Sequence, residues 1–268
     1  MSNLRKLLIP SVVLPILSAC GVASAPGPHS NGLPFASPAS EATFDDAVIQ
    51  IGEKVTTTLK SSRSGGVPPY SQTAIPLTVR RLAEHDYELV IGNNTWAYHS
   101  EPGAPNVLIS DVNSNYTYTL VPFLEQVGII AYDQPSYQGS AVYGYLTDPD
   151  QIPTSGNALY VGYAAAHVLT EDGAGAHTYT YEDWTVAIHA DFDDSSLTGQ
   201  FNANGTEIAL TGGAIDGQSV SAGLSGPGSI SGEMSGHFYG LDAAGMGGEF
   251  DLTYTGGMAT GAWVAAVD

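Results

Sequence analysis

Positive charge is scarce in this chain, and all of it lies towards one end. The seven Lys and Arg residues are Arg5, Lys6, Lys54, Lys60, Arg63, Arg80 and Arg81. From Leu82 to Asp268 there is none, while 23 of the 27 Asp and Glu residues fall there. A net charge of −20 repels phosphate, and a chain without a basic stripe cannot release counterions from a nucleic acid. Nucleic-acid binding is excluded. The same acidity opposes docking on an anionic lipid surface, so attachment to a membrane needs some other device. Two causes fit such a charge, adaptation to a saline habitat or an acidic face that meets a basic partner.

Cysteine is almost missing too. Cys20 is the only one, which rules out an intrachain disulfide and leaves burial and backbone pairing to hold the fold. The apolar stretch Leu7–Leu17 falls short of the roughly 20 residues a membrane-spanning helix needs, and Pro10 and Pro15 interrupt it. Gly-x-Ser-x-Gly elbows, P-loops and dinucleotide fingerprints are all absent. Carboxylate pairs abound, but in so acidic a chain they discriminate nothing. The expectation is a protein that is not an enzyme and carries no cofactor.

What is present starts at the amino terminus. Arg5 and Lys6 precede the short apolar stretch, and small residues close it, the pattern of a secretion signal. Leu17-Ser18-Ala19-Cys20 resembles the lipobox of bacterial lipoproteins, in which the cysteine is diacylated and becomes the new terminus. Residues 1–19 are therefore expected to be a signal peptide and Cys20 a lipid attachment site, with several acyl chains holding the membrane firmly. The competing reading is an ordinary signal cleaved after a small residue such as Ala25. Gly21 follows the cysteine in place of the Asp that retains enteric lipoproteins at the inner membrane. The expected location is the outer membrane or cell surface of a Gram-negative bacterium. Residues 20–43, rich in Pro, Gly, Ser and Ala, read as a flexible tether.

Beyond the tether the pattern is β. Trp184, Val186, Ile188, Ala190 and Phe192 alternate with polar residues, as do Phe250, Leu252 and Tyr254. Turn signals stand at Asn93-Asn94, Asn202–Gly205, Gly212-Gly213, Asp216-Gly217, Gly226–Gly228 and Gly256-Gly257. The fold class expected is all-β: an antiparallel barrel of about eight strands preceded by a smaller sheet. Residues 44–155 are assigned to the small sheet and 156–268 to the barrel, with a soft boundary near Pro153–Gly156.

Two segments carry a family resemblance. Ser235-Gly236-His237-Phe238-Tyr239-Gly240, running on to Met246-Gly247-Gly248-Glu249-Phe250, resembles the Gly-x-Phe-Tyr-Gly…Gly-Gly-x-Phe signature of the transferrin-binding protein B barrel. Pro153–Gly162 is similar to the opening strand of that barrel, and Ala190-Asp191-Phe192 with Leu197-Thr198-Gly199 to its second hairpin. The resemblance implies a single lobe, with a handle-like sheet before the barrel, lipidation and surface exposure. Gly236, Phe238, Tyr239, Gly240, Gly247, Gly248 and Phe250 are then structural, the Phe residues plugging the barrel and the Gly residues letting strands bend and approach. Gly245 departs from the signature, which has Glu there. No loop matches the family's transferrin-capturing cap.

Candidate binding residues are few. Tyr116, Tyr118, Tyr132, Tyr137, Tyr143 and Tyr145 crowd one region, and tyrosine joins apolar area to a polar tip, which suits a contact surface. His167, His177, His189 and His237 lack zinc- or iron-ligand spacing and read as surface or turn residues. Asp111-x-Asn113-x-Asn115 is calcium-like, but Tyr116 occupies the position that needs Gly. Asp148 with Asp150, and Asp191 with Asp193 and Asp194, read as solvated surface. No metal is expected. The functional expectation is a lipid-anchored surface binding protein that captures an iron- or haem-bearing ligand or protein partner. It would work with an outer-membrane uptake receptor or lipoprotein exporter. The alternative is a structural envelope lipoprotein.

Overall fold

The computed structural model describes residues 49, 51–63, 73–99, 107–111, 116–124, 127–134, 137–172, 174 and 177–268. The expected signal peptide, Cys20, the tether, Asn113 and Asn115 lie outside these residues. Eight strands form an open antiparallel sheet: β1 (Lys54–Arg63), β2 (Thr73–Arg81), β3 (Asp86–Ile91), β4 (Asn94–His99), β5 (Val107–Asp111), β6 (Tyr116–Leu124), β7 (Val127–Gln134) and β8 (Tyr137–Gly144). Their order, β4-β3-β2-β1-β8-β7-β6-β5, is two four-strand meanders joined through the β1–β8 pair. The next eight close into an antiparallel barrel: β9 (Asn157–Glu171), β10 (His177–Asp191), β11 (Ser196–Ala203), β12 (Thr206–Asp216), β13 (Ser219–Gly226), β14 (Ile230–Tyr239), β15 (Gly245–Tyr254) and β16 (Gly257–Val267). β16 pairs with β9, so the barrel has no free edge. Helix among the described residues is limited to two single 3-10 turns, Pro149–Gln151 and Leu241–Ala243.

The barrel is a packed core. Alternation puts Trp184, Val186, Ile188 and Ala190 of β10 inside, each at most 4% exposed, while Thr185 and His189 face out. The ring of Phe250 lies 5.3 Å from Trp184 and 5.4 Å from Phe201, and Phe238 sits 5.7 Å from Phe192 and 6.1 Å from Tyr160. Eight strands leave an interior just wide enough for side chains to fill. Apolar-in and polar-out is the reverse of a membrane-spanning barrel.

Local chemistry places the turns. Asn204 and Gly205, with φ of 51° and 93°, make the two-residue turn between β11 and β12. Two expected turns are corrected. Gly212-Gly213 lies within β12, where a register shift between Thr211 and Ala214 marks a bulge, with Gly212 at φ 58°. The turn after β3 is Gly92-Asn93, because Asn94 already pairs with Ile91 and Gly92 takes the positive φ of 57°. In the small sheet Arg81 is only 5% exposed; its guanidinium donates to the carbonyls of Ile49, Ala83 and Glu84 and lies over the Tyr87 ring. The last cation of the sequence thus holds the sheet's end together instead of facing solvent.

The sheet packs on the barrel's outer wall. Val127 and Ile129 of β7 and Val142 of β8 meet Ala165, Tyr239, Ala262, Val264 and Ala266 in one buried cluster. This explains β16. Ala259–Ala266 are buried without alternation, because one face fills the barrel and the other carries the sheet. Alanine on the outer face lets the two layers come close. Phe250→Ala is expected to lower unfolding free energy by about 3–5 kcal/mol in urea titrations, the cost of a large buried ring. A loss under about 1 kcal/mol would mean that the interior is not packed as described.

Candidate functional site

The joint between the two units is built at the end of β14. Phe238 points into the barrel at 0% exposure; its neighbour Tyr239 points outward and is 7% exposed against the sheet. Adjacent residues on a strand face opposite ways, so one dipeptide grips both cores. Gly240 follows with φ 77° and ψ −173°, a region essentially restricted to glycine. There the chain receives the connector from the sheet: Gly240 N–H donates to the Tyr145 carbonyl at 2.9 Å, and Thr147 N–H to the Phe238 carbonyl at 3.0 Å. The buried Thr147 hydroxyl donates to the Gly240 carbonyl at 2.8 Å, and the Gln218 side-chain amide to the Thr147 carbonyl. Gly247 completes the joint, since a Cβ there would sit 3.0 Å from Val142 Cγ1.

Beside the joint, sheet and barrel part to leave a cleft of about 570 Å³. Its barrel side is formed by β13, β14 and β15, mostly by their outward positions. Ser221 stands opposite Ser235, Ser235 opposite Glu249, and Ser219 opposite His237. Thr56 and Thr57 of β1, Gly144 and Leu146 cover it from the sheet side, and Asp216 stands at one end. The cleft exists because these side chains are small where the cluster beside it is tightly filled. Tyr239 is held neutral well above the usual phenol range, first by burial and then by the neighbouring Glu249 carboxylate. Glu249, half-buried, lies on the same strand as Gly245, the residue that departs from the family signature.

Of the expected tyrosines, Tyr116 and Tyr118 lie on β6, Tyr132 on β7, and Tyr137 and Tyr143 on β8. Tyr118 pairs with Tyr132, Gln134 with Tyr137, and Ile130 with Ala141. Tyr143 is 2% exposed in the sheet's own core, so its area is used inside the fold, and Tyr145 packs against the same core and donates to Glu53. His189 and His237 are exposed on the outer wall, and His167 is buried against Tyr181, with ring centroids 5.6 Å apart. Among the described residues no group of three or more His, Cys, Asp or Glu could hold a metal ion. The Asp191 carboxylate accepts the backbone N–H groups of Asp193 and Asp194, and Asp193 accepts that of Gly156, so this acidic run ties a turn to the barrel's entry. Thr147, Gln218, Glu249 and the outward residues of β16 were not picked out from the sequence. The unbroken apolar run Ala262–Val267 was the signal available for the last of these.

Gly240→Ala is expected to cost about 1–3 kcal/mol, since alanine cannot adopt that backbone conformation without strain. Urea unfolding monitored by circular dichroism measures it; a variant as stable as the parent would show that the joint tolerates another path.

Comparison with known proteins follows the same outline. Residues 152–266 match the family described as the C-lobe and N-lobe beta barrels of Tf-binding protein B. Among solved structures, the isotype 1 transferrin binding protein B of serogroup B Neisseria meningitidis superposes with a TM-score of 0.57 at 16% identity, covering 79% of this chain and 44% of that one. A point mutant of the Haemophilus parasuis Hp5 protein gives 0.56 at 16% identity, covering 82% and 45%. The likeness thus extends beyond the barrel into the small sheet, and this chain spans less than half the length of either protein. Functionally curated proteins yield no match. Over residues 152–266 the barrel thus matches the lobe-barrel family of transferrin-binding protein B, and the fold of the chain resembles a single lobe of those proteins.

Proposed function

We propose that this chain is a lipid-anchored binding protein of the Gram-negative outer surface. Acylation at Cys20 and the tether of residues 20–43 would hold the lobe off the membrane, where it captures an iron- or haem-bearing ligand or protein partner for an uptake receptor. The observation that carries this reading is the combination of a family barrel with a sheet packed on its wall, the two-part lobe seen in proteins named for binding transferrin. A packed barrel interior has no room for a ligand, which directs binding to the outside, with Tyr116, Tyr118, Tyr132, Tyr137, Tyr143 and Tyr145 and the cleft beside the joint as the candidate contacts. Export to the surface would be the task of a lipoprotein exporter.

The test is capture from growth medium and cell-envelope extract by the secreted chain bearing Cys20→Ser, with absorption spectra recorded on whatever is retained. A stoichiometric partner that carries iron, or a Soret band, is expected. A clean negative at both low and physiological salt would instead favour a structural envelope lipoprotein.

A further inference from the structure

The turn between β11 and β12 carries the only Asn-Gly dipeptide among the described residues, Asn204-Gly205, and both residues are exposed. Asparagine before glycine deamidates readily in an unfolded chain, because no side chain shields the glycine nitrogen and its backbone turns freely. In that reaction the Gly205 nitrogen bonds to Cγ of Asn204 and gives up its proton to solvent. The Cγ–Nδ2 bond breaks, and the amide nitrogen takes a proton back and leaves as ammonia. Water then opens the five-membered imide at either carbonyl, leaving aspartate or isoaspartate.

Both reacting groups are occupied in the structure. The Gly205 N–H donates to Asn202 Oδ1 at 2.7 Å, and Asn204 Nδ2 donates to Glu182 Oε2 at 3.0 Å. Glu182, on β10, is itself fixed in place. The Trp184 indole N–H donates to the same Oε2 at 2.8 Å, and the Thr180 hydroxyl donates to Oε1 at 3.4 Å. Trp184 is in turn wedged in the barrel core beside Phe250. The pairs Asn202↔Glu207 and Ala203↔Thr206 clamp the turn from below, with Asn204 at φ 51°. For the nitrogen to reach Cγ, both side-chain hydrogen bonds must break and the turn must open. A step that needs local opening proceeds through the small open population, and each bond lowers that population.

We propose that Asn204 is a deamidation site held shut by Glu182 and Asn202. The product matters to the fold as well. An aspartate at this position has no N–H to give Glu182 and sets like charge beside it. The guarded turn is therefore where chemical ageing would loosen this end of the barrel, whatever the chain binds.

The experiment incubates the whole folded chain in mildly alkaline buffer and follows Asn204 by peptide mass spectrometry, as the mass gain of deamidation. The same chain unfolded in guanidinium chloride supplies the unguarded rate. The folded parent is expected to react at least about tenfold more slowly than the unfolded chain. Asn202→Ala and Glu182→Ala are each expected to react at least about threefold faster than the folded parent. Val220→Ala, which thins the core at the opposite end of the barrel, is the control and should stay within about twofold of the parent. Equal rates in the folded and unfolded parent would overturn the proposal. So would a parent-like rate in either guard variant. An acceleration by Val220→Ala matching theirs would make the rate a measure of overall stability, and the proposal would fall. Circular dichroism verifies folding, and should Glu182→Ala not fold, Asn202→Ala and the control still decide.

Discussion

The structure hangs on a constraint of the pleat at the end of β14, where successive side chains must point to opposite faces. Phe238 enters the stack formed with Phe192 and Tyr160, and Tyr239 enters the layer formed with Val127, Ile129 and Val142. Two hydrophobic cores that share no residue are thereby tied to one peptide unit. A one-residue slip of β14 would turn Phe238 towards the sheet and Tyr239 into the barrel, so the register of each unit guards that of the other. Gly240, Thr147 and Gln218 lock the same corner with hydrogen bonds.

From this joint the functional geometry follows. A barrel filled by its own aromatics leaves the outer surface for the proposed binding, and the joint sets the spacing of that surface. Small residues at Ser219, Ser221, Ser235 and Gly144 keep the cleft open a few residues from where Tyr239 and Val142 close it. The charge distribution sharpens the picture. Arg81 is buried on backbone carbonyls and Arg80 pairs with Glu88 at 3.4 Å, so these two basic residues of the sheet are occupied within the fold. The barrel strands carry no Lys or Arg beside their carboxylates.

Much of the fold could be read from residues alone. Strict alternation in Trp184–Phe192 and Phe250–Tyr254 marks strands with one wet face, and the family motif marks the barrel. The Phe residues of the motif do plug the interior. Gly212-Gly213 misleads because a glycine at positive φ serves a bulge as well as a turn, and only pairing with β13 separates the two. The role of β16 was harder to see. An unbroken apolar run signals burial on both faces without naming the partner layer, and the sheet that supplies it lies more than a hundred residues earlier. Tyrosine composition likewise pointed to a contact surface, whereas Tyr143 packs inside. Which of two faces a strand residue occupies depends on register, and register is a long-range property.

The claim at the centre of this account is that Tyr239 fastens the sheet to the barrel. Amide hydrogen exchange of the parent and of Tyr239→Ala tests it directly. The account predicts that β7 and β8 lose protection while β10, β11 and β12, on the far wall, keep theirs. Unchanged protection in β7 and β8, or uniform loss across the whole barrel, would contradict it.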